Sequence, residues 1–140
     1  MNIDTKFLRR YISTLELALK GISGLDKQED LTYEIYRAAC VKEFELVLEQ
    51  SGKLLTKRLA IYFSSNRQVD RLSFKDLFRH AAKHGLLDEE ETERWMAYRD
   101  NRNDTAHDYG ENFAEETLKL LPNFVSDAKK LADILESSDE

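Results

Sequence analysis

The sequence predicts an all-α protein: an antiparallel up-and-down bundle of four to five helices forming one domain over residues 1–140. Three observations predict it. Apolar residues recur at spacings of three and four along nearly the whole chain, and no alternating strand pattern is found. Chain breakers are scarce, with five Gly and one Pro. Charged residues reach 34%, which suits helices with wide solvated faces. Hydrophobic content of 41% is ordinary for a globular domain. A chain of this length can bury roughly 68% of its unfolded surface, so it needs no metal or disulfide to hold together.

Several function classes are excluded at this level. The single cysteine, Cys40, rules out an internal disulfide and a Cys-rich zinc site. The start M-N-I-D-T-K-F-L-R-R-Y-I lacks the apolar run of a signal peptide. No window approaches the ~18 apolar residues of a membrane span. The expectation is a cytoplasmic protein with no membrane contact. A net charge of −6 argues against coating nucleic acid by bulk electrostatics, and no DNA partner is expected. A small basic cleft within an acidic body remains compatible with it.

The first helix is expected over residues 4–22. Asp4 is its N-cap, and Phe7, Leu8, Tyr11, Leu15, Ala18 and Leu19 form its stripe. Gly21 and Gly24 stop it, and a short polar linker follows. The second and longest runs from Leu31 to Phe63, with a seam of Val41, Phe44, Leu48, Ser51, Leu55, Leu59 and Tyr62. The small pair Ser51–Gly52 points to close helix approach. Lys53, Lys57 and Arg58 make a short basic strip, read as a solvated face. Residues Ser64–Leu72 read as a polar loop.

Ser73 caps a third helix, Phe74 to His84, and Asp76 at N3 suits the helix dipole. Phe74, Leu77, Phe78 and Ala81 form its core face, and Gly85 is a natural C′ residue. Asp76, His80 and His84 share one row, a spacing that zinc sites use. Ala81 stands where a metalloprotease would carry its Glu, so the row is better explained by a His80–Asp76 bond and by the dipole at His84. No metal is expected. Asp88 caps a fourth helix whose Glu89, Glu90 and Glu91 read as a solvated start. A last helix, from about Asn112 to Leu135, carries Phe113, Leu118, Leu121, Val125, Ala128, Leu131 and Leu135 on its core face. Pro122 is expected to kink it.

The stretch Trp95–Tyr109, W-M-A-Y-R-D-N-R-N-D-T-A-H-D-Y, stands apart, because an amphipathic helix has no structural need for so many Arg, Asn, His, Asp and Tyr together. On a wheel of about 100° per residue, Arg99, Asn103 and His107 share a row, and Arg102 and Tyr109 share a face. Arg102 and His107 lie about 140° apart. They converge only if the helix ends or distorts near His107, or if a second copy supplies one of them. Gly110 and its neighbours make distortion plausible, and the long apolar seam makes a dimer plausible. Arg with His and no metal ligand set suits phosphodiester chemistry. Arginine grips phosphate in a planar fork, and histidine moves a proton near neutral pH. The competing reading pairs Arg99 and Arg102 with Asp100, Asp104 or Asp108 and leaves His107 as a helix cap.

R-N-D-T-A-H-D-Y, from Arg102 to Tyr109, resembles the R-x4-H-x-Y motif of HEPN domains of the HepT type. Together with F-K-D-L-F-R-H-A-A-K-H-G-L-L and A-A-C-V-K-E-F-E-L-V-L-E-Q-S-G-K-L-L-T-K-R-L, the chain from Ala38 to Tyr109 resembles the nucleotidyltransferase substrate-binding proteins. The resemblance implies a HEPN-like bundle that forms a homodimer, with the motif Arg and His lining a cleft at the interface. In toxin members they cleave RNA without a metal. It further implies a minimal nucleotidyltransferase partner that acts as antitoxin and can transfer AMP to the motif tyrosine. Carried over, Arg102 and His107 are catalytic, Asn103 and Arg99 supporting, and Tyr109 the AMP acceptor. The chain itself needs no cofactor; ATP and Mg belong to the partner. An adenylated Tyr109 on the face of Arg102 would fill the cleft with a bulky anion. The alternative for the same family is a non-catalytic subunit that binds substrate or nucleotide for the nucleotidyltransferase.

Overall fold

The computed structural model describes residues 3–26, 31–107 and 111–137, with the backbone alone described at 103–107 and 111. Six α-helices follow one another among them: α1 Lys6–Ser23, α2 Leu31–Leu59, α3 Asn66–Asp70, α4 Phe74–Lys83, α5 Glu89–His107 and α6 Glu111–Glu136. A 3₁₀ turn, Ala60–Tyr62, extends α2. The architecture is the expected all-α antiparallel bundle. α1, α2, α5 and α6 form it, and α3 and α4 are short helices inserted between α2 and α5.

Cross-helix pairs fix the directions. Arg9 of α1 meets Asp133 and Glu136 of α6, whereas Lys129 of α6 meets Glu16 of α1, so these two run antiparallel. Arg94 and Tyr98 of α5 reach Asp127, and Asn101 reaches Thr117, so α5 and α6 are antiparallel as well. Arg37 pairs with Glu115 and Phe44 packs on Phe124, so α2 and α6 run parallel across the bundle.

The core explains where the sequence expectations shift. In α1 the buried stripe is Leu8, Ile12, Leu15, Ala18 and Ile22, steps of three and four without a break. Phe7 is exposed, and Tyr11 and Leu19 only flank the core. Asp4 accepts a hydrogen bond from the Lys6 amide at 2.9 Å, but Thr5 holds the cap position. Gly21 does not stop the helix. It makes room for Tyr36, whose ring would lie 2.3 Å from a Cβ there. Gly24 is the terminating residue.

α2 buries the expected Phe44, Leu48, Ser51, Leu55 and Leu59. It also buries Cys40, Val47 and Leu54, because it has α1 on one side and α6 and α4 on the other. The helix closes at Leu59, and Tyr62 is exposed rather than part of the seam. The close approach expected at Ser51–Gly52 is with α4: a Cβ on Gly52 would sit 3.2 Å from the Phe74 ring.

The segment Ser64–Leu72, which reads as a polar loop, contains α3. Ser65 caps it by accepting from the Gln68 amide, and Val69 is 1% exposed. One buried valine among polar residues leaves no periodicity to read. α4 follows expectation, with Ser73 accepting from the Asp76 amide at 3.1 Å and Gly85 at φ 77 closing the turn. Asp76 pairs with Arg79, not His80; the Ser73 and Arg79 hydrogen bonds hold its carboxyl below the ordinary range. In α5, Glu91 is buried and forms a capping box with Asp88, in place of the solvated role expected for it. α6 continues across Pro122 as one helix, with the proline exposed, and Phe124 joins its core face.

Candidate functional site

The C-terminal half of α5 is the segment that the rest of the bundle positions. Its root is Trp95, fully buried and stacked on Phe78 at 4.8 Å, with Tyr98 and Phe124 edge-on at 5.6 and 5.7 Å. One turn on, the Tyr98 hydroxyl donates to Asp127 Oδ2 at 2.6 Å, and Arg94 grips the same carboxylate through two nitrogens. Burial and the carboxylate both push the Tyr98 phenol up. Asp127 is 4% exposed, and hydrogen bonds from Arg94 and Tyr98 satisfy both of its oxygens.

Above this anchor the helix turns polar. Arg99 lies over the Phe74 ring, 5.3 Å from its centroid. Asp100 takes Lys75 of α4 at 2.7 Å. Asn101 donates to Thr117 Oγ1 at 2.8 Å, fixing α5 against α6. Arg102 Nε lies 3.1 Å from Glu45 Oε2 of α2. The start of α6 is tied to α2 by Glu115, which accepts from the Tyr33 hydroxyl and from Arg37 Nη1 at 3.0 Å. The last turns of described α5 side chains and the start of α6 are thus both clamped to α2.

Of the carboxylates in the competing sequence reading, the described one, Asp100, pairs with Lys75. Arg102 is held by Glu45 of another helix. Arg99 packs on an aromatic ring. The expected site residues therefore divide: Arg99 and Arg102 stand on adjoining turns facing α4 and α2 respectively. Asn103 and His107 lie on the same unbroken helix, described by backbone only. Tyr109, Asp108 and Gly110 lie outside the described residues. Positions 102 and 107, on a continuous helix, are about 140° apart round its axis. α5 runs without a break to His107, where the described part of the helix ends.

His80 and His84 have another neighbourhood. His84 stacks on Tyr62 with centroids 3.6 Å apart and planes at 3°, and His80 packs edge-on against Phe63 at 5.1 Å. Among the described residues no three His, Cys, Asp or Glu side chains are placed to share a metal ion, and no helix is long and apolar enough to cross a membrane.

Sequence reasoning passed over Glu45, a carboxylate on an otherwise solvated face of α2. It also passed over the charge distribution, which was readable. Between Ser51 and Leu87, eight Lys and Arg stand with only two Asp, a local +6 within a chain of −6.

The fold and site define a helical bundle in which Arg99 and Arg102 stand near the end of α5, against α4 and α2. The chain belongs to the nucleotidyltransferase substrate binding protein-like family, whose model matches residues 5–137. It is 28% identical over 110 residues to the Probable ribonuclease HepT of Haemophilus influenzae, covering 79% of this chain and 74% of that one. Its fold is similar to a Haemophilus influenzae protein described as the substrate binding domain of a nucleotidyltransferase, with TM-score 0.82, 27% identity and coverage of 94% and 98%. It is also similar in fold to a tri-AMPylated Shewanella oneidensis HEPN toxin in complex with MNT antitoxin, with TM-score 0.66, 18% identity and coverage of 98% and 99%.

Proposed function

We propose that this chain is a HEPN-type endoribonuclease toxin that cleaves RNA without a metal and is held in check by a minimal nucleotidyltransferase partner. Arg102 and His107 are its catalytic pair, with Asn103 and Arg99 supporting. Arg102 binds the scissile phosphate and stabilises the charge that builds on it. His107 takes the proton of the RNA 2′-hydroxyl as its oxygen attacks phosphorus, or returns a proton to the departing 5′-oxygen. The RNA supplies its own nucleophile, so the site asks for no cofactor. ATP and Mg enter only with the partner, which joins the Tyr109 phenol oxygen to the α-phosphate of ATP and releases pyrophosphate.

The observation that carries this reading is the unbroken course of α5 through His107 with Arg102 already braced by Glu45. Positions 102 and 107 then lie about 140° apart round the axis of α5, which supports a cleft completed by a second copy. A surface for the second copy is available near that end of the bundle. Leu17, Leu31 and Ile35 are exposed, and an open groove of about 640 Å³ between α1 and α2 is lined by Leu17, Ala18, Gly21, Ile35, Tyr36 and Ala39. The protein is expected to scatter light as a dimer, twice the 16.3 kDa chain mass. A monomer at micromolar concentration would remove the composite cleft.

The inhibitory half has its own test. Incubation with the partner nucleotidyltransferase, Mg and ATP should add AMP mass to the wild-type chain and none to Tyr109→Phe. Equal labelling of the two would place the acceptor elsewhere. The second reading, a non-catalytic subunit that binds substrate or nucleotide, is favoured by the family description and by the Haemophilus relative described as a substrate binding domain. It would use the same arginines to hold a phosphate without cleaving it.

A further inference from the structure

We propose that the end of α2 with α3 and α4 forms a docking surface for single-stranded RNA, with the Tyr62–His84 ring pair as its base-stacking platform. The proposal rests on the RNA reading above and extends it to a second region of the molecule, remote from Arg102 and His107.

Charge provides the first argument. The +6 segment Ser51–Leu87 lies in a chain whose remaining residues sum to −12. Cations elsewhere are neutralised across helices, as at Arg9, Arg94 and Lys129. In the basic segment, Lys53, Lys57, Arg67, Arg71 and Lys83 are exposed and form no ion pair among the described residues. Such segregation stabilises nothing within the fold, since like charges repel. It does create a local anion-binding potential on an acidic protein.

The rings provide the second argument. Tyr62 is 42% exposed and Ile61 64% exposed, on a 3₁₀ turn at the outside of the bundle. His84 lies parallel to Tyr62, and His80 continues the column at 6.4 Å with planes at 16°. The Arg58 guanidinium sits 5.8 Å from the Tyr62 centroid, with Nε and Nη1 buried and without hydrogen-bond partners. Parallel stacked rings rimmed by cations are what an unpaired base and its phosphates require. An acidic protein surface would use the cations but has no use for the ring column, and the bases of an RNA duplex are not available to it.

The placement links this surface to the catalytic pair. Along α2, from Glu45 beside Arg102 to Tyr62, the rise is about 26 Å at 1.5 Å per residue. A stacked strand advancing about 3.4 Å per nucleotide covers that distance in roughly eight nucleotides.

The test is anisotropy of 5′-fluorescein oligoadenosine, as a 12-mer and a 4-mer, in EDTA, with the full-length His107→Ala chain so that the probe is not consumed. The 12-mer should bind at least tenfold more tightly than the 4-mer. Adding Tyr62→Ala should weaken the 12-mer about tenfold, as loss of one stacked base does, whereas Tyr62→Phe should retain it. The exposed pair Lys57→Ala/Lys83→Ala should reduce the salt slope by about 1.4, near 0.7 per lost phosphate contact. Unchanged 12-mer affinity in both Tyr62→Ala and the lysine pair would overturn the proposal. So would equal binding of duplex RNA, or loss of the nucleotidyltransferase partner in Tyr62→Ala with RNA affinity intact, which would make this a protein interface. Absence of cleavage in the wild type with Tyr62-dependent binding would sink the nuclease reading and leave the docking surface standing.

Discussion

Replacing His107 with Ala should abolish RNA degradation and growth arrest on expression, while the circular dichroism spectrum and melting temperature stay at wild-type values. A positioned general acid–base is typically worth 10²–10⁴ in rate, so cleavage should fall by at least two orders of magnitude. The fold should be indifferent, because the helix that carries position 107 is anchored far below it, at Trp95, Tyr98 and Asn101. The experiment is total RNA on a gel after induction of each form. If wild type degrades RNA and the variant does not, the endoribonuclease reading stands. If both leave RNA whole, the substrate-binding alternative replaces it, and nucleotide binding with the partner present becomes the measurement of interest. If both degrade RNA equally, His107 has no part in the chemistry.

The largest effect on stability should come from Trp95→Ala. Trp95 joins three helices, stacking on Phe78 of α4 and edge-on to Phe124 of α6 while belonging to α5. Truncating so large a buried aromatic costs about 3–5 kcal/mol. Against a total stability of roughly 5–15 kcal/mol, that is a large share. The thermal midpoint should fall by about 10 °C or more. Trp95→Phe should lose far less, because the indole Nε1 is buried with no hydrogen-bond partner and the replacement forfeits only volume. Thermal melts followed by circular dichroism decide it. A shift of only two or three degrees for Trp95→Ala would mean that the three-helix junction is not where the stability resides.

The fold was legible because helical periodicity survives in α2, α4 and α6, where single faces such as Phe44–Leu48–Ser51–Leu55–Leu59 meet neighbours lengthwise. It blurred wherever tertiary contacts override the local pattern. Gly21 reads as a breaker until Tyr36 is seen lying on it. Ser64–Leu72 reads as a loop because a one-turn helix with a single buried valine has no period. Glu91 reads as solvated because a capping box and a solvated acidic start share the same letters. At the candidate site, Arg99 and Arg102 could be singled out by residue type, but their partners could not be. Glu45 lies 57 positions from Arg102 and Phe74 lies 25 from Arg99. The basic segment needed no structure, only a count by region instead of over the whole chain.

The Glu45–Arg102 pair has a consequence for how anions reach the site. At rest the guanidinium is already matched by a carboxylate 3.1 Å away, so occupancy by phosphate is an exchange of one anion for another. For a pair about one-third exposed the carboxylate holds on by no more than the order of 1 kcal/mol. That margin is small beside what a polyanion gains by engaging several cations together, and appreciable beside what a lone phosphate or chloride gains from one. On the proposed function the resting site is therefore buffered: it would discount the small anions that fill a cell and yield to a strand that arrives with many charges at once.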